Sequence, residues 1–174
     1  MANLVTSDFF VVEIGIPNIS KQEINESLNV FIGKYEQEVL FALFGYELLK
    51  SYNADSTTDR FLKIVNGTEY YDGTKKWNGL VYKINDINFS LIANYIYYYW
   101  LRDKHIWNSG IGTIRPAPNQ AVNISPGLKM VSAWNSFSSD VCEFIDYMNN
   151  STEIYPEWNS VNIWKFRRTN DFDI

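Results

Sequence analysis

The chain is poor in the residues that most often carry chemistry, with one cysteine, Cys142, and one histidine, His105, in 174 residues. A lone cysteine allows no intramolecular disulfide and no thiolate cluster for zinc, and it fits a reducing cytosol. Beside Val141 and Phe144 it reads as a buried, inert thiol. A lone histidine restricts base-assisted nucleophilic catalysis to a single pair or triad. His105 closes an expected helix in the run RDKHIW, where a protonated imidazole suits the negative end of the helix dipole. Basic residues are also scarce: 15 Lys and Arg stand against 20 Asp and Glu, a net charge of −5. That balance argues against nonspecific grip on nucleic acid, which works by releasing counterions from phosphates. Apolar runs are too short, and too interrupted by Tyr and Asn, to span a membrane. The opening MANLVTSDFFVVEIGIPN lacks a basic leader and carries Asp8 and Glu13, so it reads as neither signal peptide nor anchor. No GxGxxG, P-loop, HExxH or GxSxG is present.

Aromatic residues, in contrast, are abundant. Six Trp, twelve Tyr and eleven Phe make up 17% of the chain, and hydrophobic residues 46%. Such a chain has the apolar surface to offset ordering entropy, and its length fits one domain. Tyr and Trp combine a large apolar body with a polar tip, which suits cores and protein interfaces.

Helical spacing dominates the pattern. Ser20 and Glu23 form a capping box, followed by Ile24, Leu28, Phe31 and Ile32, and then by Tyr35, Val39, Leu40, Leu43 and Phe44. Lys34, Glu36, Gln37 and Glu38 fall on the other face. Gly45 either ends this helix in a left-handed conformation or admits another backbone, and Leu48 and Leu49 continue the stripe. A short helix is expected over 59–65. The dipeptides Asn66-Gly67 and Asp72-Gly73 are turn signals, and with the aromatic residues between and after them they read as a small hairpin or an aromatic-pinned loop. Asp86 is expected to cap a helix from Ile87 to about His105, apolar nearly all round and therefore buried. Residues 108–123 read as a long irregular connection. Ser125-Pro126 opens a last helix, with Leu128, Val131, Trp134, Val141, Ile145 and Met148 as its buried stripe.

Glycoside hydrolysis needs two acids facing one cleft, and two groups of carboxylates come nearest to it. Glu36 and Glu38 diverge on a helix, while Asp140, Glu143 and Asp146 read as a solvated face. No cofactor and no metal site is expected, and the chain reads as a non-enzyme.

The fold expected is mainly α: a small helical bundle of three to four core helices with a minor β-hairpin or extended arms. It forms one domain over 1–174, with an N-terminal arm over 1–18 and an aromatic C-terminal arm over 151–174. FFVVEIGI is read as an extended arm or edge strand. Phe9, Phe10, Val11 and Val12 of the first arm, with Tyr155, Trp158, Trp164 and Phe166 of the second, are the candidate interface residues.

The runs FIGKYEQEVL from Phe31 and LFGYEL from Leu43 resemble the opening of a family of small helical proteins of tailed phages and prophages of Bacteroidetes. The pieces at Trp77-Asn-Gly79-Leu80, Tyr97 to Arg102, Ala133-Trp134-Asn135 and Tyr155-Pro-Glu-Trp158 follow in the same order. That family is similar to head-tail connector or adaptor proteins. The resemblance implies a structural virion protein of the neck, assembled in the host cytoplasm as a homo-oligomeric ring, twelve-fold by resemblance. It implies portal and tail or neck proteins as partners, DNA passing through the lumen without specific binding, and no membrane. An acidic chain suits such a lumen. Another neck or tail-completion protein, a small cytosolic binding module and a carboxylate hydrolase are the alternatives.

Overall fold

A computed structural model describes residues 3–104, 107–109, 112–114, 126–159 and 166. Among the described residues four helices carry the fold: α1 (Gln22–Ala54), α2 (Asp59–Asn66), α3 (Leu91–Lys104) and α4 (Pro126–Asn149). Three two-stranded antiparallel hairpins accompany them: β1–β2 (Thr68–Tyr70 and Lys75–Trp77), β3–β4 (Val81–Ile84 and Ile87–Ser90) and β5–β6 (Trp107–Ser109 and Gly112–Ile114). The chain is therefore mainly α with minor β elements. α3 lies against both α1 and α4, and one cluster of buried side chains joins all three to the first two hairpins.

The helical stripes land where their spacing puts them. On α1, Leu28, Ile32, Val39, Leu40, Leu43, Phe44 and Leu48 are buried at three- and four-residue intervals. α3 buries Leu91, Ile92, Ala93, Tyr95, Ile96, Tyr97 and Trp100, around most of its circumference. α4 buries Val131, Phe137, Val141, Phe144 and Met148, although Leu128, expected in that stripe, is exposed. The capping box does not form. α1 starts after Lys21, which makes no side-chain cap bond, while Gln22 donates to Glu26 at 2.7 Å.

Gly45 interrupts α1 with φ 72° and ψ 176°, a region open to glycine and strained for any residue with a Cβ. The break removes residues from the i to i−4 ladder. The carbonyl of Leu43 accepts instead the indole N–H of Trp158 at 2.8 Å, and the Asn159 backbone crosses beside Gly45. The expected glycine break and the close backbone thus occur together.

Gly67 and Gly79 bring two backbones into contact. Their φ values are 89° and 106°; a methyl on Gly67 would meet the Asn78 carbonyl, and one on Gly79 would lie 2.5 Å from that of Val65. At this crossing the carbonyl of Ile64 accepts two bonds, from the Trp77 indole at 2.8 Å and from the Leu80 N–H at 3.1 Å.

Asp86 does not cap a helix. Asn85 and Asp86, at φ 49° and 64°, form a type I′ turn joining β3 to β4, and Ile87 to Ser90 is a strand. The cap of α3 is Ser90, whose Oγ accepts from the N–H of Ile92 at 3.1 Å. A polar hydroxyl hidden behind β-branched and aromatic residues made the strand and the helix read as one run. Part of the long connection before α4 is also ordered differently from expectation, as the paired strands β5 and β6.

Candidate functional site

The N-terminal segment is neither strand nor free arm. Ser7–Phe9 and Val12–Ile14 are short 3-10 turns. The first touches β4 and α1, and the second touches α4. Val5 and Phe10 are buried, at 1% and 2% exposure. A single carboxylate holds the segment's start: Glu36, itself 1% exposed, accepts the N–H of Leu4 at 2.9 Å and of Val5 at 3.0 Å. Burial raises the Glu36 carboxyl above the usual range, and the two backbone donors pull the other way. Glu36 was expected on the polar face; at that position the partner is backbone arriving from 31 or 32 residues upstream, which no local pattern records.

Between this segment, the β3–β4 hairpin and the facing helices lies a half-open cavity of about 300 Å³. Phe9 and Val11 form one wall, Tyr82 and Phe89 another, and Ser136 and Asp140 of α4 the floor. A second cavity of similar volume continues it past Glu13, Ile14 and Asn94 toward Lys129 and Ser132. Ser132, Ser136 and Asp140 repeat every four residues, so α4 turns one apolar stripe to the core and one polar stripe to the groove. Tyr82 and Phe89, opposite each other in the hairpin, stack with centroids 5.7 Å apart.

Asp140 is the unusual group in this groove. Its carboxyl is pushed up to about 7, by burial first and by the negative charge of Glu143 second. The Tyr82 hydroxyl is pushed up to about 12, by burial and then by Asp140 and Glu143. The folded protein therefore holds on Asp140 a proton that the unfolded chain releases near pH 4. The stability this gives is full below pH 4 and is lost as pH rises through about 7. After solvent screening on its open side, the loss is about 2 kcal/mol. Asp140→Asn is expected to remove that part of the slope, leaving the part due to Glu36; thermal midpoints from pH 5 to 8 measure the difference.

The three acids expected to share a solvated face of α4 part company. Asp140 lines the groove, and Glu143 is exposed. Asp146 accepts from Lys75 Nζ at 2.7 Å and from the Tyr70 hydroxyl at 2.6 Å, which holds its carboxyl below the usual range. Glu36 and Glu38 diverge as expected, but neither is simply solvated: Glu38 accepts from the Tyr95 hydroxyl at 2.7 Å. Cys142 is exposed rather than buried, because Val141 and Phe144 take the inward positions of that turn. His105 lies outside the described residues. Among the described residues, no group of three or more His, Cys, Asp or Glu is arranged to hold a metal ion, and no helix is long and apolar enough to cross a membrane.

The candidate interface residues divide. Tyr155 is buried, sharing a 2.8 Å hydrogen bond with Tyr147 and donating to the Arg60 carbonyl at 2.6 Å. Trp158 is pinned at the Gly45 break, and Phe166 packs edge-on against Phe137. Phe9 is half-buried and Phe10 buried. Val11 and Val12 are exposed, at 39% and 66%, and Trp164 lies outside the described residues. Other exposed apolar side chains escaped notice, above all Val30 at 71%, Phe41 at 53% and Tyr46 at 64%. Val30 and Phe41 stand eleven residues apart, three helical turns on one side of α1, and that spacing was the available signal.

Fold and groove together define a small, mainly helical protein with residues 4–16 and 151–159 packed onto the body. Compared with known proteins, the chain matches no family model, no curated protein and no solved structure.

Proposed function

We propose that the chain is a non-enzymatic structural subunit of a phage neck, a head-tail connector or adaptor that closes into a ring below the portal. The observation that carries this reading is the outward side of α1 before the Gly45 break, which leaves Val30 and Phe41 largely exposed. Apolar groups aligned along a long helix suit a lateral contact between identical subunits. The segments that resemble the connector family also support it. Leu40, Leu43, Trp77, Leu80, Tyr97, Trp100, Ala133 and Tyr155 of those segments are all buried, which suits a packed scaffold. In this reading portal and tail or neck proteins bind the two ends of the ring, and DNA passes through the lumen without specific binding.

The experiment is to look for the protein in purified virions and to image it with the portal. A ring at the neck is the expected result, and absence from virions removes the reading. Phe41→Asp is expected to block ring closure at least tenfold in concentration while leaving the thermal midpoint of the monomer within a few degrees, because surface substitutions change stability little. A small binding module is the second reading, favoured by the groove at Asp140.

A further inference from the structure

The geometry points to residues 3–16 as an exchangeable strap: in an assembly, the strap of a second copy of this chain occupies the Glu36 clasp and the groove wall that its own strap fills here. The seat is specific. Glu36 grips two consecutive backbone N–H groups, Val5 and Phe10 fill apolar sockets, and Ile16 is buried at the strap's far end. Backbone recognition by a fixed carboxylate does not depend on which copy supplies the backbone.

The connection to the body is the opposite in character. Pro17, Asn18 and Ser20 are exposed, only Ile19 between them leans on the core, and α1 follows Lys21 without a side-chain cap. Fully extended, the strap and this connection reach roughly 55–60 Å, enough to cross onto a neighbouring subunit. One strained residue belongs to the strap itself and stays with it on exchange. Val12, a β-branched residue, sits at φ 54°, where such residues are genuine outliers, and its side chain is 66% exposed. The strap is therefore held at its start by Glu36, in its middle by Phe10 and at its far end by Ile16, with one strained turn between Phe10 and Ile16. Exchange keeps every closed contact and adds the new surface between the two bodies, which is how identical elements pass between protomers. Reciprocal exchange closes a dimer, and exchange in one direction closes a ring.

The inference needs only a second copy and not the neck role. Failure of exchange leaves a ring to be closed by the α1 face, and absence from virions leaves exchange standing.

Deleting Pro17 and Asn18 shortens the connection so that strap and α1 no longer reach their places in one chain. The expected product has wild-type helical circular dichroism and at least twice the monomer mass by light scattering. Adding Phe10→Ser to it is expected to return monomers. A shortened chain that stays monomeric with wild-type stability overturns the proposal, as does an oligomer that survives Phe10→Ser. If the shortened chain does not fold, two full-length variants with different tags decide. Phe10→Ser spoils the strap and Glu36→Gln spoils the seat, so a mixture is expected to co-purify as heterodimers, in which one good strap meets one good seat. Failure to co-purify counts against exchange.

Discussion

Gly67→Ala and Gly79→Ala are each expected to destabilise the protein by about 3 kcal/mol or more, because there an added methyl meets the backbone carbonyls of Asn78 and Val65. Two costs add at each position. A positive φ disfavours any L side chain by about 1–2 kcal/mol, and the new methyl meets backbone atoms rather than the end of a flexible side chain. Overpacking of that kind typically costs about 1–3 kcal/mol. Gly33 is the internal control: it has nothing within 4 Å of an added methyl, and it lies in α1. Gly33→Ala is therefore expected to stabilise by about 0.5–1 kcal/mol through helix propensity. Urea midpoints of the three variants, measured side by side, test the contrast. Equal effects at Gly67 and Gly33 would show that the backbone crossing is not as tight as described.

Trp77→Ala is expected to cost about 3–5 kcal/mol, the range for removing a large buried aromatic. Trp77 is 1% exposed, stacks on Tyr147 at 6.0 Å and meets Phe144 edge-on at 5.7 Å. Trp77→Phe separates the packing from the hydrogen bond. The indole N–H would be lost, yet the carbonyl it serves, that of Ile64, keeps the N–H of Leu80. With the acceptor still satisfied, the cost of Trp77→Phe is expected to fall to about 1 kcal/mol. A loss for Phe as large as for Ala, by chemical denaturation, would mean that the hydrogen bond rather than the ring fixes this corner.

The helices were legible because each carries its own instruction. Leu28 to Leu48 on α1 and Val131 to Met148 on α4 repeat at the helical period, and Gly45 announced its break through residue type alone. The first hairpin was legible from Asp72-Gly73. The second was not, because Asn85-Asp86 makes the same kind of turn without a glycine, and Ile87 to Ser90 merges by composition into the helix that follows.

The candidate site was hardly legible at all. Glu36 and Asp140 are ordinary polar residues on helices until distant chain is laid over them. The termini misled in the other direction. Aromatic residues flanking the body read as arms reaching outward, whereas Phe10, Tyr155 and Trp158 fold back to complete their own chain's core. An aromatic residue is equally suited to both uses, so composition does not choose between them.

The break at Gly45 ties the two ends of the molecule's construction together in time. Its freed carbonyl waits for an indole 115 residues further along the chain, and the Arg60 carbonyl waits for a hydroxyl 95 residues on. A chain emerging from its N-terminus therefore completes α1 long before anything can set the angle between its two halves. Until Trp158 arrives, the first half is free to present its apolar side at a range of angles, and contacts of such sequence separation form late and slowly. A residue made late thus sets the shape of a helix made early, and a chain interrupted before Trp158 would hold the right helices at the wrong bend.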